Sequence, residues 1–114
     1  MNYIEERPWG TFEILLEEST YKVKRITVFP RKRLSLQSHR QRNEHWVIAE
    51  GKVKVVNNDD GKLYHVGDHI FIPRGNKHRI ENIGNEKAVF IEVQLGEYLG
   101  EDDIIRYEDD YQRV

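Results

Sequence analysis

Four side chains able to hold a metal ion fall in two short stretches of this 114-residue chain. The first stretch runs Gln37-Ser38-His39-Arg40-Gln41-Arg42-Asn43-Glu44; the second brings His78 shortly after Pro73-Arg74-Gly75. On an extended strand, Gln37 and His39 project from one face about 6.6 Å apart along the backbone. Both can then converge on one ion at metal–nitrogen distances of about 2.0–2.1 Å. A turn follows His39, and the next strand returns Glu44 on the same face as Trp46 and Ile48. Pro73 and Gly75 shape a tight turn that sets His78 at the start of a further strand. Three strands thus offer two imidazoles, a carboxylate and an amide oxygen to one small volume. His45, next to Glu44, should point to the opposite face; His65 and His69 flank a turn and receive no role. The chain has no cysteine, so disulfides, thiolate sites and cysteine nucleophiles are excluded and any metal must sit on nitrogen and oxygen. Such a donor set suits zinc, manganese, iron, cobalt or nickel.

The elements that must carry these residues read as short strands. Thr11–Leu16, Tyr21–Phe29, Glu44–Ala49, Lys52–Val56, His69–Ile72 and Ala88–Leu95 are rich in β-branched and aromatic residues. Turn signals at Pro30, Gly51, Asn57 to Gly61, Gly67-Asp68, Pro73 to Gly75 and Gly84-Asn85 separate them, which points to an all-β sandwich or barrel in a single domain over 1–114. Lys52 to Tyr64 reads as a hairpin around Asp60-Gly61. Val89, Ile91, Val93 and Leu95 share one strand face. The apolar phase shifts near Arg25, so a bulge is expected there. A helical turn or two is expected only between Glu101 and Tyr111.

Charge narrows the function classes. With 18 basic and 20 acidic residues the formal net charge is −2, which does not suit a nucleic-acid binder. The balance is uneven along the chain. Lys22, Lys24, Arg25, Arg31, Lys32, Arg33, Arg40 and Arg42 occur with no acidic residue among them, whereas the tail from Glu97 is largely acidic. A local positive run attracts anions, a phosphorylated ligand among them. The start, MNYIEERPWG, lacks the pattern of a signal peptide, and no apolar stretch approaches the roughly 20 residues that span a bilayer. The expectation is a cytoplasmic protein with no membrane partner.

The residues themselves carry a resemblance. Gly67, Pro73, Gly75, His78 and Asn82 match every fixed position of the second cupin motif, G-x5-P-x-G-x2-H-x3-N, and Glu44 and Gly51 match the E-x6-G part of the first. The cupin resemblance implies a double-stranded β-helix, a jelly-roll-type barrel, with Gln37, His39, Glu44 and His78 as ligands of one divalent ion. Pairing His39 with Gln41 instead leaves too few residues before Glu44. The Gln-x-His pair also resembles the ligand set of zinc-dependent phosphomannose isomerases, which puts zinc first.

Arg7-Pro-Trp-Gly10, Tyr21 to Ile26, Arg33 to Gln37, Glu44-His-Trp46 and Gly96 to Ile104 are similar to the C-terminal cupin domain of type II mannose-6-phosphate isomerases, often fused to a mannose-1-phosphate guanylyltransferase. The resemblance spans Glu6 to Arg113. It implies interconversion of mannose 6-phosphate and fructose 6-phosphate, with a metal as Lewis acid, in carbohydrate metabolism and polysaccharide biosynthesis. Among the cations, Arg79 and Arg33 are expected to contact the phosphorylated hexose, Arg79 also as a catalytic group, with Lys24 and Arg42 as further candidates; Glu92 and Tyr98 are candidate bases. The chain departs from the family where Arg40 and Gln41 follow His39 in place of further histidines. It shows no Gly-rich nucleotide loop, so guanylyl transfer is not carried over. The alternatives are a non-catalytic sugar- or sugar-phosphate-binding cupin and a cupin dioxygenase, for which two histidines and a carboxylate would form the facial triad. A homodimer is expected, with Trp9, Leu34 and Leu36, placed opposite the ligands, in its interface.

Overall fold

The computed structural model describes residues 3–112. They form eleven strands: β1 (Tyr3–Arg7), β2 (Gly10–Glu17), β3 (Tyr21–Val28), β4 (Leu36–Ser38), β5 (Arg42–Glu50), β6 (Lys52–Asn57), β7 (Asp60–His65), β8 (His69–Ile72), β9 (His78–Asn82), β10 (Ala88–Gly96) and β11 (Ile105–Glu108). Two sheets face each other, one in the order β1-β2-β3-β10-β5-β8 and the other β11-β4-β9-β6-β7. All pairings within them are antiparallel. The helical turn expected between Glu101 and Tyr111 is absent. Ile105–Glu108 instead extends along β4, where the edge of the second sheet offers backbone partners that an isolated turn lacks.

One end of the interior is apolar and the other polar, and the strand register produces this division. β3 points Lys22, Lys24, Ile26 and Val28 inward, β10 points Ala88, Phe90, Glu92 and Gln94, and β5 points Arg42, Glu44, Trp46 and Ile48. Because neighbouring strands run antiparallel, Phe90 meets Ile26 and Ile48, Glu92 meets Lys24 and Trp46, and Gln94 meets Lys22 and Glu44. Val53, Val55, Ile70, Ile72 and Ile80 complete the apolar end.

The register also refines two sequence readings. β3 pairs with β10 from Tyr21 to Val28 without a slip; the bulge beside Arg25 belongs to the facing strand β2, between Ile14 and Leu16, opposite Lys24 and Val23. The apparent phase shift of β3 was two inward lysines. Val89, Ile91, Val93 and Leu95 do share one face of β10, the side away from Phe90, Glu92 and Gln94.

Two turns show how local chemistry sets the frame. The β6–β7 hairpin closes with Asn57 opposite Asp60, so its turn residues are Asn58 and Asp59, at φ 55° and 73°, and Asp60-Gly61 lies within β7. Asn and Asp tolerate this left-handed pair, which matches the twist of the strands. At Gly51, φ is 85° and an added Cβ would lie 2.9 Å from the Ala88 Cα, so β5 passes into β6 only through glycine. Asn82 of the second motif is structural: its amide donates to the Val28 and Glu86 carbonyls and accepts from the Gly84 N–H.

Trp9 is buried in the core, and Leu34 packs against that core and lines the interior cavity. They are therefore not on a face opposite the ligands. Leu36 is half-buried.

Candidate functional site

The polar end of the barrel encloses a cavity of about 120 Å³, far larger than one ordered water requires. Gln37, His39, Glu44 and His78 all line it, as the sequence expected. His39, Glu44 and His78 are buried, and each can offer a donor atom within 4.8 Å of the others'. Their setting fixes which atoms are offered. The His39 Nδ1–H donates to the Asp103 carbonyl at 2.6 Å and the His78 Nδ1–H to the Asn76 carbonyl at 3.0 Å. Each ring thereby keeps its Nε2 lone pair free of a proton, as ligand imidazoles require. Burial pushes His39 down to about 4, against the pull of Glu44, and burial lowers His78 as well, so both are neutral at pH 7.

Glu44 is anchored at both oxygens. Trp46 Nε1 donates to Oε1 at 2.9 Å and Arg42 Nε to Oε2 at 2.7 Å. Burial alone would favour its neutral form, but Arg42, then His78 and His39, outweigh that and hold it well below the usual carboxylate range. Neutral imidazoles beside an ionised carboxylate are a donor set that fits a divalent cation. Arg42 Nη2 also lies 3.2 Å from His39 Nε2, so the guanidinium bridges two of the three donors. Gln37 stands opposite His78 in the β4–β9 register, its amide nitrogen 3.1 Å from Ser35 Oγ.

The structure separates the expected substrate cations. Arg79 follows His78 on β9 but its guanidinium turns away from the cavity, with Nε on the Leu34 carbonyl at 2.9 Å and Nη2 on the Glu108 carbonyl at 3.1 Å. Arg33 is bidentate to Asp110 at 2.7 and 2.8 Å on the outside. Neither lines the cavity, so the expected catalytic Arg79 and substrate-binding Arg33 and Arg79 are corrected. Strand alternation is the reason for Arg79: a residue adjacent to an inward ligand must face outward. Lys24 and Arg42 line the cavity instead, with Arg7 and Arg106.

Of the two candidate bases, Tyr98 is exposed and hydrogen-bonded to Asp102. Glu92 is buried on the cavity wall, where burial, with Glu44 beside it, pushes its carboxyl up to about 8. It accepts from Gln94 Nε2 at 2.7 Å. Glu101, in the acidic tail, received no role in the sequence reading; it lines the cavity, paired with Lys24.

Residues 3–109 match the family described as mannose-6-phosphate isomerase C-terminal. The chain belongs to that family. It is 45% identical over 108 residues to the xanthan biosynthesis protein XanB of Xanthomonas campestris pv. campestris (strain B100), and 45% identical over 108 residues to a mannose-1-phosphate guanylyltransferase of Escherichia coli (strain K12). In both cases 95% of this chain is matched but only 23% of the relative's length. These relatives are named for guanylyl transfer or for xanthan synthesis, and this overturns the expectation that the chain interconverts mannose 6-phosphate and fructose 6-phosphate.

Solved structures agree on the fold. The capsular polysaccharide assembling protein CapF of Staphylococcus aureus superposes with a TM-score of 0.79 over 95% of this chain and 32% of its own, at 21% identity. An RmlC-like cupin of Shewanella frigidimarina gives 0.78 over 89% of this chain and 87% of its own, at 19% identity. An oxalate decarboxylase of Bacillus subtilis, whose centres are Mn(II), gives 0.74 at 23% identity over 89% of this chain and 29% of its own. The chain is a cupin, a double-stranded β-helix. Among the described residues no helix is long and apolar enough to cross a membrane.

Proposed function

We propose that this chain is a metal-centred cupin module that binds a phosphorylated hexose of the mannose phosphate class, in the supply of sugars for polysaccharide synthesis. The observation that carries this reading is the cavity itself, which sets the donor cluster His39, Glu44 and His78 beside the buried cations Lys24 and Arg42. The names of the relatives support it, one being a mannose-1-phosphate guanylyltransferase and the other a xanthan biosynthesis protein.

In this reading His39, Glu44 and His78 hold one divalent ion, zinc first and manganese, iron, cobalt or nickel next, with Gln37 at its side. A bound ion supplies Lewis-acid polarisation of sugar oxygens. Asp103 and Asn76 keep the two imidazoles in the ligating tautomer, and Trp46 and Arg42 orient the carboxylate. Lys24 and Arg42 give a phosphate its counter-charge. Calorimetric titration of the zinc-loaded protein with mannose 1-phosphate, mannose 6-phosphate and mannose tests the reading. The phosphates are expected to bind more tightly than mannose and to lose binding on chelation. Equal heats for all three sugars, or binding indifferent to chelation, would overturn it.

A further inference from the structure

The cavity contains a cationic pair whose counter-ion comes from a surface loop. Lys24 and Arg42 keep only 6% of their side-chain surface exposed, whereas Glu101 keeps 50%. Glu101 lies in the β10–β11 connection, where its carboxylate pairs with Lys24 and stands 3.9 Å from Arg42 Nη1. Arg42 uses Nε on Glu44 and Nη2 on His39, while Nη1 is buried without a hydrogen bond. A buried guanidinium nitrogen left unbonded carries a desolvation cost that a ligand oxygen can relieve. The loop itself is pinned on either side of Glu101. Leu99 is buried and its carbonyl takes Lys22 Nζ at 2.9 Å, and the Asp103 carboxylate takes the backbone N–H groups of Arg40 and Gln41 at 3.0 and 2.9 Å. Glu101 can therefore leave by rotating its side chain while the backbone stays.

We propose that Lys24 Nζ and Arg42 Nη1 form the anion subsite of the cavity, and that the Glu101 carboxylate occupies this subsite until a ligand phosphate displaces it. The assignment rests on the phosphorylated-hexose reading for the identity of the ligand, while the subsite itself would accept any small phosphate monoester or inorganic phosphate. Here the anion is the half-exposed member, and it stands in for the ligand. Occupancy by Glu101 then sets a threshold: apparent affinity is the intrinsic affinity multiplied by the fraction of protein with the subsite open.

The test titrates inorganic phosphate and mannose 6-phosphate separately into the metal-loaded protein, Glu101→Gln and Lys24→Met. Glu101→Gln should tighten both phosphates, by about tenfold if Glu101 fills the subsite nine-tenths of the time, and Lys24→Met should weaken both by at least that factor. Circular dichroism checks the fold of Lys24→Met, and the Glu101→Gln arm, at an exposed position, stands without it. Affinities unmoved by Glu101→Gln, or no phosphate binding in any of the three proteins, would overturn the subsite. If mannose 6-phosphate binds all three alike, the sugar reading stands and the subsite fails. If both phosphates follow the expected order but the sugar phosphate binds no better than inorganic phosphate, the subsite stands and the sugar reading fails.

Discussion

At the residue scale, the site depends on hydrogen bonds that decide protonation. His39 and His78 donate from Nδ1 to backbone carbonyls, so replacing either ring removes a donor that no neighbour can supply. His78→Ala is expected to fold and to lose its bound metal, from about one ion per chain to near none by elemental analysis; retention of the ion would exclude His78 as a ligand. Glu92 and His39 give the metal-free protein opposing pH dependences. Burial raises Glu92 from 4.5 to about 8, so its contribution is fully present below 4.5 and is lost as pH rises towards 8. Burial lowers His39 from 6.5 to about 4, so its contribution is present above 6.5 and is lost as pH falls towards 4. The two oppose each other between 4.5 and 6.5 and only Glu92 acts from 6.5 to 8. Urea unfolding of the metal-free protein should therefore show stability falling from pH 6.5 to 8, and Glu92→Gln should flatten that decline. An unchanged slope in Glu92→Gln would show that Glu92 is already ionised at pH 6.5.

At the element scale, register and turns aim the donors. β9 starts at His78 because the turn through Gly75, at φ 87°, reverses the chain there, and the Gly75 N–H donates to the His39 carbonyl at 2.8 Å. That bond ties the two histidine-bearing segments together. Gly51 performs the matching reversal between β5 and β6. Gly51→Ala would combine a left-handed backbone with a Cβ 2.9 Å from the Ala88 Cα, and is expected to cost about 1–3 kcal/mol in denaturant unfolding. The segments with turn signals and clear β-type runs were legible in sequence for this reason: glycine, proline and Asn-Asp choices act within a few residues. β11 was not legible, since Ile105–Glu108 is a strand only through β4, which lies more than 60 residues earlier in the chain.

At the scale of the whole molecule, the barrel keeps its metal donors and buried charges at one end and its apolar core at the other. A bound ion stabilises the folded form alone, because the unfolded chain scatters His39 and Glu44 from His78. Zinc at about 100 times its Kd should add about 2.7 kcal/mol, roughly 10 °C in Tm for a domain of this size. Scanning calorimetry with zinc and with a chelator measures it, and coincident transitions would count against a folded-state ion site. The outer face of the six-stranded sheet, by contrast, exposes Tyr21, Val47, Phe71 and Leu95, one from each of β3, β5, β8 and β10.

The sequence by itself determined the all-β class, the positions of most strands and the four residues Gln37, His39, Glu44 and His78 that share the cavity. It could do so because side-chain alternation, turn propensity and donor chemistry are local or depend on fixed spacing. Which cations face that cavity was decided only by the tertiary structure. Lys24 and Arg42 lie within, and Arg33 and Arg79 without, because the direction of a side chain follows from strand register and sheet closure, and a charge is allowed inside only where a partner such as Glu44 or Glu101, distant in sequence from Lys24, is brought beside it.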